Sequence, residues 1–234
     1  MEKIHLIIPA AGAGSRMGNP IPKQFSSIGN KTIIEWIEFI FSNVSSIYSI
    51  SIAVNPNEHF IEKINHRFSS KTKIYNSGGD TRSQTVLNTL NQIKKTADVD
   101  DWIMVHDAAR LGINESMINK FISEICNHKV GGIMAIPVSD TVKRVSKSGI
   151  IVGTENRNEI WLAQTPQMFR YKILKKAIEK FNGDPTDECE AVEFLGLKPK
   201  IVQGSTVNFK VTYPADMEHI KAIFNPNSEG VKND

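Results

Sequence analysis

The residues of this 234-residue chain best suited to chemistry stand near its start. Ile4-His5-Leu6-Ile7-Ile8 is an apolar run that reads as a buried strand, and a loop of small residues, Pro9-Ala10-Ala11-Gly12-Ala13-Gly14, follows at once. Small side chains let a ligand lie against exposed backbone N–H groups. Arg16 and Lys23 come next, where a polyphosphate would place its negative charge. The spacing matches neither common nucleotide loop. A phosphate-binding loop needs Lys directly after its second Gly, whereas Gly18 is followed by Asn19 and Lys23 comes five residues after Gly18. A dinucleotide fingerprint needs its third glycine one residue earlier than Gly12-x-Gly14-x-x-x-Gly18 supplies it. It also wants an acidic residue closing the next strand, but the run Ile50–Val54 ends in Asn55-Pro56. At this point a glycine-rich turn without a ligand remains the alternative.

Further clusters have the same character. Val105-His106-Asp107-Ala108-Ala109-Arg110 ends an apolar run with a carboxylate, two small residues and a cation. Such a carboxylate suits Mg²⁺ escorted by phosphates, because that ion prefers oxygen and takes only one or two carboxylates. Arg110 can grip a phosphate bidentately. The alternative is a surface Asp–Arg pair, and His106 reads as structural rather than catalytic. Asn76-Ser77-Gly78-Gly79-Asp80-Thr81-Arg82 has the paired glycines that a base-recognition loop needs, although Asp80 or Thr81 serves equally well as a helix cap. Thr165-Pro166-Gln167 sets a hydroxyl beside a rigid bend. Lys210 lies within Phe209-Lys210-Val211-Thr212, and Arg157 closes a hairpin. Singly these read as a turn, an outward charge and a rim charge. Together, many fixed cations, one metal carboxylate and no covalent nucleophile match phosphoryl or nucleotidyl transfer, in which catalysis is mostly positioning and charge stabilisation.

The elements that must position these residues follow from apolar periodicity. Strands are expected at Leu6–Ile8, Ile50–Val54, Lys73–Tyr75, Trp102–Val105, Gly132–Val138, Lys200–Val202 and Val207–Thr212. Between them, Thr32-Ile33-Ile34-Glu35 is a capping box opening a helix, and helical patterns cover Asn57–Phe68, Ser83–Ile93 and Glu115–Ile125. Later helices are expected at Tyr171–Phe181, Glu188–Leu195 and Ala215–Phe224, the last opened by Pro214. This alternation predicts an α/β fold, a Rossmann-like, mostly parallel twisted sheet with helices on both faces and ligands beyond the strands' carboxyl ends. Thr141–Ser146 and Ile150–Thr154 flank Lys147-Ser148-Gly149 as a hairpin with too few large apolar residues to stand alone. It is read as an arm, about residues 139–158, that docks on a partner, with an edge hairpin on the main sheet as the alternative. Residues 1–224 read as one domain and 225–234 as a polar, disordered tail.

Net charge is +3, too little by itself to argue for nucleic acid, and the 8 % of residues that are aromatic sit mostly in apolar runs rather than on a basic stripe. The two cysteines, Cys126 and Cys189, lie in helical stretches without metal-ligand spacing, and the histidines are scattered, against a zinc site. No apolar run reaches membrane-spanning length, and the N-terminus carries a strand pattern rather than a secretory segment. The reading is a cytoplasmic enzyme with no nucleic-acid or membrane partner.

Taken in order, Pro9-Ala10-Ala11-Gly12 with Arg16-Met17-Gly18, Pro22-Lys23-Gln24, Gly78-Gly79-Asp80 with Arg82, His106 to Arg110, Asp140-Thr141-Val142-Lys143, Gln164-Thr165-Pro166-Gln167, Thr186-Asp187-Glu188 and Asn208 to Thr212 resemble the 2-C-methyl-D-erythritol 4-phosphate cytidylyltransferases of the non-mevalonate isoprenoid pathway. The resemblance spans residues 4 to about 220. It implies a nucleotide-diphospho-sugar transferase type of fold. It also implies a reaction in which CTP and methylerythritol 4-phosphate give the CDP-alcohol and pyrophosphate, with Mg²⁺ or another divalent cation. By that resemblance Arg16, Lys23 and Lys210 are the catalytic cations. Pro9, Ala10, Ala11, Gly12, Gly79, Asp80, Thr85 and Ala108 hold CTP. Asp107, Arg110, Thr141, Arg157 and Thr165 take the polyol phosphate, with Asp107 also near the metal. The hairpin arm would cross to a second subunit, so that Thr141 and Arg157 serve the partner's site in a homodimer.

The chain departs from the family at Leu111, where Pro is usual, at Phe209, where Ile is common, at Thr85, where Ser is common, and at Asn156-Arg157-Asn158. None of these removes a charge assigned to chemistry, though Leu111 bears on the geometry behind Arg110. Two other readings remain. One is a cytidylyltransferase for ribitol 5-phosphate or a related pentitol phosphate, a family that tends to carry Val at the place of Ala109. The other is a non-catalytic nucleotide-binding module, which should lack Arg16, Lys23 or Lys210.

Overall fold

The computed structural model describes residues 2–12 and 21–224. Its strands are β1 (Ile4–Pro9), β2 (Ser27–Ile28), β3 (Lys31–Thr32), β4 (Ile47–Ala53), β5 (Thr72–Tyr75), β6 (Trp102–Val105), β7 (Gly131–Pro137), β8 (Lys143–Val145), β9 (Ile151–Thr154), β10 (Trp161–Arg170) and β11 (Lys200–Gln203). Seven of them form one sheet in the order β11-β7-β10-β6-β1-β4-β5. Every neighbouring pair is parallel except the two made by β10, which runs antiparallel to both β6 and β7. The mostly parallel sheet expected from the alternation is therefore present.

Side chains alternate across this sheet. Leu6 and Ile8 of β1, Trp102 and Met104 of β6 and Met134 of β7 enter one core. Ile7, Ile103, Val105, Ile133 and Ala135 enter the other. The first core is covered by α1 (Ile33–Ser42), α3 (Glu115–Ile125) and α6 (Pro214–Phe224), and the second by α2 (Arg82–Ile93), α4 (Tyr171–Lys180) and α5 (Glu188–Phe194). Strands covered on both faces favour apolar residues at successive positions, which is why β1 and β6 read as continuous apolar runs. The capping box holds in α1: the Thr32 hydroxyl accepts from the Glu35 backbone N–H, while the Glu35 carboxylate accepts from the Thr32 N–H. Leu111 is fully buried in the first core and Phe209 packs against it, so both departures from the family pattern are absorbed as apolar filling.

Three expectations are corrected. Residues 57–68 form no continuous helix but two short 3₁₀ turns, Ile61–Lys63 and Asn65–Arg67. Ile61 and Ile64 are already buried within one turn, and Ile64, at φ −121° and ψ −8°, breaks the run. Val207–Thr212 is not a strand. Val211 N–H donates to the Ala109 carbonyl at 2.8 Å and Asn208 N–H closes a turn on Ser205 at 3.1 Å, leaving an irregular segment. Conversely, the stretch read as a bend at Thr165-Pro166 lies inside the ten-residue strand β10. The pairing with β7 skips between Gln164 and Gln167. A proline in a central strand is tolerated at such an irregularity because no ladder donor is needed there; the Thr165–Pro166 peptide is cis.

The expected hairpin is present. Among the described residues β8 and β9 pair only with each other. Gly149 turns between them at φ +81°, a conformation favouring glycine. Val145, Ile150, Ile151 and Val152 on it are all more than half exposed. Among the described residues no helix is long and apolar enough to cross a membrane. The polar tail, 225–234, and Arg16 lie outside the described residues.

Candidate active site

Because β1, β4, β5 and β6 are parallel, their carboxyl ends share one edge, and the loops leaving them meet there. Ala10 N–H donates to the Ala53 carbonyl at 2.7 Å and Gly78 N–H to the Val54 carbonyl at 2.9 Å. The contact requires glycine at position 78. A Cβ there would stand 2.8 Å from the Ala11 Cβ and 3.0 Å from the Asn55 Cα. The small-residue loop and the glycine loop thus lie against each other. Between them and residues 107–109 opens a cleft of about 570 Å³.

All eight residues anticipated for CTP line this cleft: Pro9, Ala10, Ala11, Gly12, Gly79, Asp80, Thr85 and Ala108. Thr85 Oγ1 accepts the Gly79 N–H at 3.0 Å, so the hydroxyl shapes the glycine loop. Asp80 is not the cap of α2; Thr81 is, accepting from Gln84 N–H at 3.1 Å. Lys23 and Lys210 also line the cleft. Lys23 stands on a 3₁₀ turn, Lys23–Phe25, and its Nζ donates to the Val211 carbonyl at 2.8 Å. That turn is moored by the buried neighbour Gln24, whose Nε2 donates to the carbonyls of Ala10 at 2.8 Å and Gly12 at 3.0 Å.

Asp107 follows β6 and is 6 % exposed. Its Oδ1 accepts from Arg82 Nε at 3.0 Å and its Oδ2 from Lys210 Nζ at 2.9 Å, with Arg110 Nη2 at 3.9 Å. Burial alone would raise the carboxyl pKa, but Arg82, Lys210 and Arg110 outweigh it and hold the group well below the usual carboxylate range. Behind it, Thr165 Oγ1 accepts the Asp107 backbone N–H at 3.0 Å and lies 3.1 Å from His106 Nδ1. His106 Nε2 lies 2.9 Å from the Arg110 carbonyl. A carbonyl can only accept, so Nε2 carries the proton and Nδ1 accepts from Thr165. Burial pushes the His106 pKa down to about 4, which keeps the ring neutral. The structural reading of His106 holds.

Four anticipated substrate residues do not line the cleft. Thr165 is buried behind Asp107. Arg110 is 8 % exposed and donates from Nη1 to the Asn208 carbonyl at 2.7 Å. Thr141 and Arg157 lie exposed at the base of the hairpin, where Arg157 donates to the Ser139 carbonyl. The sequence reading gave no role to Arg82, Glu188 or Gln167, although each is a polar group within or beside a core element and so needs a partner.

Asp107 offers the hard oxygen that Mg²⁺ takes, and no group of three or more His, Cys, Asp or Glu able to hold a metal exists among the described residues. One carboxylate fits an ion that arrives on a triphosphate and keeps waters; it does not fit an all-protein cage.

A family model described as 2-C-methyl-D-erythritol 4-phosphate cytidylyltransferase (IspD) matches residues 4–226. The protein of that name from Nitrosomonas eutropha is 41 % identical over 228 residues, covering 95 % of this chain and 97 % of its own length. That from Paraburkholderia phytofirmans is 41 % identical over 231 residues, covering 95 % and 96 %. Among solved structures, a 4-diphosphocytidyl-2C-methyl-D-erythritol synthase superposes with a TM-score of 0.85 at 34 % identity, over 95 % of this chain and 99 % of that one. The Francisella tularensis cytidylyltransferase gives 0.75 at 34 % identity, over 93 % and 98 %.

Proposed function

This chain belongs to the 2-C-methyl-D-erythritol 4-phosphate cytidylyltransferase family, and from that premise we propose how its residues carry the reaction. It is a nucleotidyltransferase that moves CMP from CTP to 2-C-methyl-D-erythritol 4-phosphate in isoprenoid precursor synthesis, giving 4-diphosphocytidyl-2-C-methyl-D-erythritol. A phosphate oxygen of the polyol attacks the α-phosphorus in line. The bond to the bridging oxygen breaks, and its electron pair leaves with pyrophosphate. The carrying observation is the convergence of Lys23, Lys210 and Asp107 on one cleft whose other walls are backbone-rich loops.

In this reading Pro9, Ala10, Ala11, Gly12, Gly79, Asp80, Thr85 and Ala108 hold the cytidine, largely through backbone. Such hydrogen bonds separate cytosine from uracil because N4 donates where O4 accepts. Lys23, Lys210 and Arg16 stabilise charge on the α-phosphoryl group and the departing pyrophosphate. Arg16 is assigned by resemblance alone. Asp107 takes the polyol, and Arg110 and Thr165 support that contact from behind it. Asp107 would also be the protein ligand of Mg²⁺, which when bound with the triphosphate neutralises phosphate charge.

The exposed apolar residues of the hairpin support an arm that docks on a second copy, because a lone hairpin is only marginally stable. Thr141 and Arg157 would then reach the partner's polyol phosphate. The expected result for Arg157→Ala is a KM for the polyol phosphate raised about tenfold or more, the worth of one charge-assisted hydrogen bond, with the KM for CTP unmoved. Equal losses for both ligands would contradict the arm's role. We assign the enzyme to the cytoplasm, where nucleotides are abundant and thiols such as Cys126 and Cys189 stay reduced.

The pentitol-phosphate and non-catalytic readings are not favoured by the family match, and the second also conflicts with Lys23 and Lys210 in the cleft. The test is pyrophosphate release with CTP, offering methylerythritol 4-phosphate against ribitol 5-phosphate. Methylerythritol 4-phosphate should win in kcat/KM by about two orders of magnitude, since a site built around one pattern of hydroxyls rejects another strongly. Equal or reversed preference would overturn the assignment.

A further inference from the structure

Two motifs singled out in the sequence, Thr186-Asp187-Glu188 and the Gln167 end of Thr165-Pro166-Gln167, have no part in substrate contact as described. They meet beside the cleft. Gln167 Oε1 accepts the Cys189 backbone N–H at 2.9 Å, and its Nε2 donates to Asp187 Oδ2 at 2.8 Å. Asp187 Oδ1 in turn caps α5, accepting from Glu190 N–H at 2.8 Å. These bonds fix the first turn of α5 against β10, and with it Glu188, which is 2 % exposed.

The carboxylate of Glu188 takes the terminal nitrogens of Arg82: Nη1 donates to Oε1 at 2.6 Å and Nη2 to Oε2 at 3.0 Å. Only Nε is left for Asp107, at 3.0 Å from Oδ1. The second oxygen of Asp107 is therefore open to Lys210, at 2.9 Å. A bidentate guanidinium–carboxylate pair is stronger and more directional than a single N–H contact. Without the Glu188 charge, the Arg82 fork would turn its stronger edge on the nearest remaining carboxylate. That carboxylate is Asp107, and Lys210 would be displaced from it. Electrostatics agree. Burial acts to lower the Arg82 pKa, but Glu188 and Asp107 more than reverse this, so the guanidinium stays charged and must be answered by an anion.

We infer that Glu188 is a positioning residue: by holding the bidentate edge of Arg82 it restricts that cation to one oxygen of Asp107 and keeps the other oxygen for Lys210 and a hydroxyl of the polyol. This rests on the reading of Asp107 and Lys210 under the proposed function. Glu188 touches no substrate; it acts through Arg82.

The test is a double-mutant cycle read by steady-state pyrophosphate release with both substrates. Glu188→Gln keeps the size and an acceptor but removes the charge. It should raise the KM for methylerythritol 4-phosphate and lower kcat, each by about tenfold, the usual loss when an outer partner of a site residue is removed. The KM for CTP should stay unchanged. In an Arg82→Gln background the same substitution should add nothing, since its only route to the site is gone. Wild-type kinetics for Glu188→Gln, an equal loss in both backgrounds, or an equal rise in both KM values would overturn the proposal. Should Glu188→Gln alone fail to fold because the Arg82 guanidinium has lost its anion, Arg82→Gln against Arg82→Gln/Glu188→Gln decides, because neither contains that guanidinium and the Glu188 carboxylate stranded in the first can be met by protonation. Identical constants support the inference and a further loss in the double variant overturns it. Failure of the wild type to release pyrophosphate would instead sink the functional reading.

Discussion

Replacing Lys23 with alanine is expected to lower kcat by about two to three orders of magnitude, the loss found when one preorganised charge donor is removed from a transition state. The argument is geometric. Nucleotidyl transfer builds negative charge on the α-phosphoryl oxygens and the bridging oxygen, so a cation fixed where that charge appears lowers the barrier without reorganising. Lys23 is fixed in this sense. Its turn is moored by Gln24 to the carbonyls of Ala10 and Gly12, and Phe25 beside it stacks on Phe60 with ring centroids 5.7 Å apart. The fold should survive the substitution, because those anchors are untouched and the lysine itself is only half-buried. The hydrogen bond to the Val211 carbonyl that the substitution removes is worth about 1 kcal/mol. Because the interaction strengthens as charge develops, kcat should fall more than the CTP KM rises. Single-turnover pyrophosphate release, with a thermal melt as the control for folding, measures both. Near-normal turnover in a folded variant would remove Lys23 from the mechanism.

What the sequence made legible follows the physics of each element. β1, β4 and β6 are buried over most of their length on both faces, so their apolar residues announced them, and the small-residue loops after β1 and β6 and the glycine loop after β5 followed from strand order. α2 and α3 present one apolar stripe each and were readable to within a residue, and the start of α1 was announced by its capping box. β10 was not. Its central residues, Gln164, Thr165, Pro166 and Gln167, have the composition of a turn, and they are stable in a strand only because tertiary partners satisfy them. Gln164 Nε2 donates to the Ser205 carbonyl at 2.9 Å, Gln167 reaches Asp187, and Thr165 serves Asp107 and His106. No local rule supplies those partners. The segment 207–212 erred in the opposite sense. Its β-branched residues suggest a strand, but Asn208 is fully buried and donates to the Thr165 carbonyl at 2.9 Å, which pins the chain into an irregular path.

The same reasoning explains what resemblance alone misses about the site. A motif gives residue types, and their protonation and orientation depend on contacts distant in sequence. Arg110 and Thr165, expected at the polyol phosphate, lie behind Asp107. Arg82 and Glu188, 106 residues apart, form its other support. The recurring object is a single ionised carboxylate, buried and surrounded by cations drawn from α2, the loop after β6 and the segment before α6.

That carboxylate carries the second large effect. Asp107→Asn is nearly isosteric, yet it replaces an acceptor oxygen with an NH₂ group facing Arg82 or Lys210, donor against donor. Removing one partner of a buried ion network typically costs about 3–5 kcal/mol, because the remaining charges stay buried without an answer. The variant should therefore be less stable at pH 7 by about that amount and lose at least a hundredfold in kcat/KM for the polyol phosphate, with the smaller change in CTP binding. The pH dependence separates this cause from simple misfit. The folded-state pKa of Asp107 lies below its unfolded value of 3.8, so the carboxylate's stabilisation is fully present above that value and is lost as pH falls through the folded pKa. The gap between wild type and variant, measured by urea unfolding, should hold steady from about pH 7 to pH 5 and shrink below about pH 4. A gap that stays flat to about pH 3 would mean that the asparagine is merely a poor fit. No gap at neutral pH would mean that Arg82, Lys210 and Arg110 do not depend on Asp107 at all.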